Sequence, residues 1–238
     1  MSPGLQIATP GLIASRPAEM PRIIDLSHPI EHGMITYPGL PGPVVSDFLG
    51  REASRGHYAE GTTFQIARVR MVVNTGTYLD APFHRYAEGA DLADLPLPSL
   101  ADLPGIVVRS PWENALAIDA DAFAGLDVAG KAVLVHTGWD RHWLTDAYFG
   151  EHPFLTADAA DLLARNGAAL VGIDSVSIDN MHVRARPVHT RLLGADIPIC
   201  EHMTNLGALP DTGFRFTAAP PKVKGMGTFT VRAYAVLV

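Results

Sequence analysis

Asn74-Thr75-Gly76-Thr77-Tyr78-Leu79-Asp80-Ala81-Pro82-Phe83-His84 is the stretch on which the reading of this 238-residue chain turns. It gathers a carboxamide, a phenol, a carboxylate and an imidazole within one short segment, with Gly76 and Pro82 interrupting any long regular element. It follows Thr63 to Val73, whose β-branched and aromatic residues predict a strand leading into it. A polar turn punctuated by Gly and Pro and carried by a strand is a common mount for a site, because the strand fixes what the loop presents. The same residues also suit a tight turn with an Asx-type side-chain cap. Segments further along the chain favour the functional reading.

Working outward, Ile24-Asp25-Leu26-Ser27-His28-Pro29 precedes the stretch, as does Tyr37-Pro38-Gly39. After it come Val135-His136-Thr137-Gly138-Trp139 and Gly172-Ile173-Asp174-Ser175-Val176-Ser177-Ile178-Asp179. Last come His189-Thr190-Arg191-Leu192-Leu193, Ile197-Pro198-Ile199-Cys200-Glu201 and Asn205-Leu206. In this order the segments resemble the cyclase family, the metal-dependent hydrolases that include bacterial kynurenine formamidase and isatin hydrolase. The family signature reads H-x-G-T-H-x-D-x-P-x-H. Gly76, Thr77, Asp80, Pro82 and His84 match it, while Asn74 and Tyr78 stand where the family has its first two histidines. The resemblance implies an α/β fold of the swivelling β/α/β type. It implies one such domain over residues 22–238 and a homodimer with pockets near subunit contacts, while Pro3, Gly4, Pro10, Gly11 and Pro17 make residues 1–21 read as a flexible N-terminal arm.

The resemblance also implies a chemistry. In the family a divalent ion activates water and polarises a carbonyl, and the last signature histidine moves the proton between water and leaving nitrogen. Carried over, the surviving positions are Asp80, His84, His189 and Glu201. Asn74 and Tyr78 are poor replacements for imidazole: a neutral carbonyl oxygen binds zinc weakly, and a phenol with a pKa near ~10 is a proton donor at neutral pH. The expected ligand set is therefore Asp80, His189 and Glu201 around one manganese or zinc ion, with His84 as proton shuttle. The expected reaction is hydrolysis of a C–N or ester bond in a small cyclic or aromatic carbonyl compound. Phe83 and His202 are candidates, with Asn74, for substrate contact. One alternative is a metal-free acid–base enzyme, a lyase, isomerase or cyclase, in which Tyr78 and Asn74 donate to a carbonyl and His84 or Glu201 is the base. Another is a binding protein without catalysis.

Composition narrows the remaining classes. The net charge of −7 and scattered Lys and Arg give no basic face for nucleic acid or an anionic membrane. Cys200 is the only cysteine, so no intrachain disulfide is possible, and the cytoplasm is the expected compartment. No apolar run reaches the ~18 residues of a membrane span, and the first residues lack the pattern of a secretory signal. No glycine-rich phosphate loop or serine nucleophile elbow is present, so no nucleotide cofactor is expected. Arg22–Leu26, Gly105–Val108, Ala132–Val135, Leu170–Ile173 and Thr228–Val238 read as strands. Thr156–Asn166 reads as a helix capped by Thr156 and ended by Gly167, and Arg141–Phe149 as a shorter one. Gly33–Pro43 and Pro210–Pro221 read as long connections.

Overall fold

The computed structural model describes residues 21–237. Residues 1–20 of the expected N-terminal arm lie outside the described residues. The strands are β1 (Ile23–Asp25), β2 (Val44–Leu49), β3 (Ile66–Arg70), β4 (Tyr78–Asp80), β5 (Leu103–Arg109), β6 (Ala117–Ile118), β7 (Ala132–His136), β8 (Phe154–Leu155), β9 (Leu170–Ile173), β10 (Ile199–Glu201), β11 (Phe214–Thr217), β12 (Thr228–Thr230) and β13 (Tyr234–Leu237). The helices are α1 (Arg51–Ser54), α2 (Ala157–Arg165) and α3 (Pro187–Gly194). This is the mixed α/β architecture expected, and none of the described helices is long and apolar enough to cross a membrane.

Nine strands form one sheet in the order β1-β13-β11-β5-β7-β9-β10-β4-β12. Its centre, β5-β7-β9-β10, is parallel, and antiparallel strands flank it on both sides. Parallel strands are buried on both faces and so read as continuous apolar runs. Ala132-Val133-Leu134-Val135 and Leu170-Val171 satisfy that rule, with no exposed surface at all. Alternation then sends Leu134 and Leu170 to one core and Val133, Val135, Val171 and Ile173 to the other. The second core is closed by Ala159, Ala160 and Leu163 of α2 and Val188, Leu192 and Leu193 of α3. Each fully buried aliphatic side chain contributes roughly 1.5–3 kcal/mol, which makes this centre the firm support for the strands beside it.

The sheet curls. β12 and β13 are separated only by residues 231–233, yet one lies at the far edge beside β4 and the other beside β1. Hydrogen bonds continue across the turn, from Val231 N to Thr77 O and from Leu26 N to Ala233 O. Gly105 admits the Phe214 ring so closely that any Cβ there would collide with it.

Several expectations change in detail. The strand foreseen in Thr63–Val73 is β3, but it pairs with β2 in a separate ribbon. The main-sheet strand is β4, inside the opening stretch itself, between Gly76 and Pro82. Phe214–Thr217 is a strand within the expected connection 210–221, and Thr228–Val238 is broken in two. Arg141–Phe149 gives 3-10 turns, Trp139–His142 and Asp146–Phe149, instead of an α-helix. Thr156 precedes α2 with extended backbone, but its hydroxyl donates to Ile118 O at 3.3 Å and does not cap the helix. Gly167 follows α2 at φ 72°, the left-handed conformation that suits a helix end.

Candidate active site

β10 and β4 are antiparallel, with Glu201 opposite Tyr78 and Ile199 opposite Asp80. Residues directly opposite share a face, so the period of two puts Tyr78, Asp80 and Glu201 together. Leu79 and Cys200 point the other way, into the first core. On the other flank β12 sets Thr228 opposite Asp80. After β4 the chain turns at Pro82–His84, tied down by Ala81 N donating to Gly227 O at 2.7 Å. A side chain at residue 227 would run into the His84 backbone, so glycine is what lets this turn sit against the sheet.

His189 arrives from α3. Asp179 accepts from the Val188 and His189 backbone N–H groups at 2.8 and 3.0 Å, satisfying the start of the helix. The same carboxylate takes the His189 Nδ1 proton at 2.7 Å. That fixes the ring and presents Nε2, which stands 3.6 Å from Asp80 Oδ2 and 3.6 Å from Glu201 Oε1. Glu201 accepts the Ile178 N–H on Oε1 and the Tyr78 hydroxyl on Oε2, each at 2.6 Å. Thr228 donates its hydroxyl proton to Asp80 Oδ1 and accepts from His84 Nδ1 at 2.8 Å. Because the Thr228 proton goes to the carboxylate, Nδ1 of His84 carries the hydrogen and Nε2 is left free.

Tyr78, Asp80 and Glu201 are 2%, 0% and 2% exposed, so their charges are settled by one another. Burial pushes the Asp80 carboxyl up, but the His189 ring, the His84 ring and the Thr228 hydroxyl outweigh it and hold it below its ordinary value. Burial lowers the His189 pKa, but the Glu201 charge, the Asp179 bond and Asp80 reverse the direction and raise it to about 10. Burial, helped by the Asp80 charge and opposed by His189, raises Glu201. Burial and the Glu201 and Asp80 charges keep the Tyr78 phenol protonated. The cluster thus calls for positive charge at His189 Nε2.

A divalent ion would supply that charge, and the residues fit one. Asp80 Oδ2 is buried and has no hydrogen-bond partner. Donor atoms of Asp80, His84 and His189 lie within 4.8 Å of one another. Donors about 2.1 Å from a shared ion stand up to about 4.2 Å apart, so at most a small side-chain adjustment closes the cluster on one. His84 rather than Glu201 completes this compact group; Glu201 borders it through His189.

The sequence-derived candidates distribute as follows. Asn74, Tyr78, Asp80, His84, His189 and Glu201 line one cleft of about 300 Å³. Phe83 and His202 are not among its lining residues. His202 is fully buried behind Tyr78, its ring 5.0 Å from that ring and 5.5 Å from Trp143. Burial lowers its pKa to about 3, so it is a neutral packing residue. Trp139 is core. The rest of the lining includes Tyr37 and Leu40, from the expected Gly33–Pro43 connection, with Ser177, Arg85 and Arg186. Asp179, the last residue of the Gly172–Asp179 segment, both accepts from the start of α3 and orients His189. Its distance from His189 along the chain hid the second role.

A family model, Cyclase ("Putative cyclase"), matches residues 24–180. Kynurenine formamidase of Geobacillus thermodenitrificans is 29% identical over 180 residues, covering 75% of this chain and 80% of its own. A solved structure described as a potential metal-dependent hydrolase with cyclase activity has 28% identity and a TM-score of 0.75, covering 92% of this chain and 98% of that one. Isatin hydrolase A from Labrenzia aggregata, at 22% identity, shares the fold, with a TM-score of 0.77 over 91% of this chain and 94% of that one.

Tyr78→Phe removes the donor to Glu201 Oε2 and leaves a buried acceptor unpaired. The expected cost is about 1–3 kcal/mol of stability, read from the denaturant midpoint. An unchanged midpoint would show that this bond does not hold the carboxylate.

Proposed function

The chain belongs to the cyclase family and is an enzyme of it, and we propose that it hydrolyses a C–N or ester bond of a small cyclic or aromatic carbonyl compound with one divalent ion. The observation that carries this reading is the placement of His189 Nε2, fixed by Asp179 and facing both Asp80 Oδ2 and Glu201 Oε1 at 3.6 Å. Each of these pairs is close enough for one ion to join, although Glu201 stands outside the compact group of Asp80, His84 and His189. Asp80 and His189 would hold it, with Glu201 as third ligand once its carboxylate swings toward Asp80, and an oxygen-rich set with one nitrogen suits manganese or zinc. When bound, the ion supplies Lewis acidity toward water and the substrate carbonyl.

The chain's own groups do the rest. Asp179 keeps His189 in the tautomer that presents Nε2. Tyr78 and the Ile178 N–H steady Glu201. His84 lies toward solvent, with 37% of its side chain exposed. With Nδ1 occupied by Thr228, its Nε2 is free to take a proton from water and return it to the leaving atom. The Tyr78-centred metal-free alternative is weaker on this geometry, because the Tyr78 hydroxyl is engaged with Glu201 and buried. A second assignment, His84 as ligand in place of Glu201, is favoured by the compact Asp80–His84–His189 group.

We further infer a cytoplasmic homodimer. Phe48, Phe64, Ile66 and Val69 on and beside the β2–β3 ribbon are 47–66% exposed, and a two-stranded ribbon gains from a partner surface. A monomeric mass by light scattering at micromolar concentration would exclude the dimer.

His84→Ala, tested on aryl amides, lactams and lactones, is expected to lose on the order of 10²–10⁴ in turnover while retaining the parental metal content by elemental analysis. Loss of metal together with turnover would instead support His84 as a ligand. Near-parental turnover by the variant would remove His84 from the mechanism.

A further inference from the structure

Resting on the reading of this cleft as the substrate site, we infer that the substrate carries a carboxylate, held at the cleft mouth by Arg186 and Arg85. Both guanidiniums line the cleft, and neither is ion-paired among the described residues. Arg109 and Arg191, by contrast, meet Asp211 and Asp161 at 2.7 Å.

Arg186 is half-buried, and its two hydrogen bonds are long and go to neutral acceptors: Tyr37 Oη at 3.3 Å and Asn180 O at 3.4 Å. A guanidinium has five N–H donors in a planar fork, so donors remain for a ligand. Its backbone is held at φ 45°, ψ 60°, directly before Pro187. The left-handed region is unfavourable for a non-glycine residue, and such conformations gather at functional sites. Arg85 lines the same cleft. Its Nε donates to Thr190 Oγ1 of α3 at 3.3 Å and its guanidinium lies 5.1 Å from the Tyr86 ring centroid, which leaves the terminal nitrogens open.

The charge layout gives direction. Asp80 and Glu201 occupy the deep end, so an anionic group is repelled there and attracted at the mouth. A substrate bearing one would enter with its neutral, reacting bond foremost. Tyr37 and Leu40 add apolar surface to the lining. A carboxylate matches the guanidinium fork in a bidentate manner, and its single charge meets less repulsion from Asp80 and Glu201 than a phosphate dianion would.

Binding can be read without turnover, which separates this inference from the hydrolase reading. Benzoate and its neutral counterpart benzamide are titrated calorimetrically into the protein as purified, and into Arg186→Met and Arg85→Met, each first checked by thermal unfolding. The parent is expected to prefer benzoate at least tenfold. Arg186→Met should weaken benzoate about 10- to 100-fold and Arg85→Met by less, with benzamide unchanged. Equal affinity of the parent for both compounds, or no benzoate binding at millimolar concentration, overturns the inference. So does a benzoate preference that survives both substitutions, which would place the carboxylate on other groups. Should Arg186→Met fail to fold, the exposed Arg85→Met decides, and an undiminished preference counts against the proposal.

Discussion

Two carboxylates buried on neighbouring strands of one sheet are the constraint on which this structure depends. Asp80 and Glu201 share a face with His189 as the buried imidazole between them. Carboxylates that share a site cannot both remain ionised unless positive charge joins them. The surrounding polar groups answer that need. Asp179 turns His189 so that Nε2 faces the pair, Tyr78 and Ile178 N–H satisfy Glu201, and Thr228 connects Asp80 to His84. Of the four oxygens of this carboxylate pair, Asp80 Oδ2 is the one left without a hydrogen-bond partner, and an added cation would meet it there.

The fold makes this arrangement possible by register. A one-residue slip of β4 would bring Leu79 to the cleft and send Asp80 toward a hydrocarbon core, and a slip of β10 would do the same with Cys200 and Glu201. That shift is opposed from three directions. The apolar centre of the sheet anchors β10 through β9, β12 grips the other edge of β4, and the short link from β12 to β13 ties this edge to the far side of the sheet. Rigid strands supply Tyr78, Asp80 and Glu201, while His84 and Arg85 come from a turn and Arg186 from a helix start. The division fits a deep charge cluster that must not move and a mouth that meets different chemical groups.

Much of this was legible in the sequence, for identifiable reasons. The parallel strands announced themselves as uninterrupted apolar runs, and β9 falls at the residues expected, Leu170–Ile173. Asp80, His84, His189 and Glu201 were found through their place in family-like segments and do converge on one cleft. Periodicity alone could not have joined His189 to Asp80, because the contact depends on how α3 docks. The strand inside the opening stretch was hidden by its shortness and by the Gly and Pro around it. β11 was concealed in the same way within a Pro-rich connection. His202 follows Glu201 in the chain and was therefore a natural site candidate. Instead it lies just past the end of β10 at φ 54°, where the backbone turns its ring behind Tyr78, which adjacency in sequence does not convey. Arg186 carried no local signal, since its meaning lies in lining the cleft without an ion-pair partner among the described residues.

The central claim is that the Asp80–His189 pair holds a divalent cation, and anomalous X-ray scattering from crystals grown with manganese tests it most directly. The account predicts one strong peak within ligand reach of both Asp80 and His189. Crystals of catalytically active protein with no peak there, or with manganese bound only elsewhere on the surface, would contradict it.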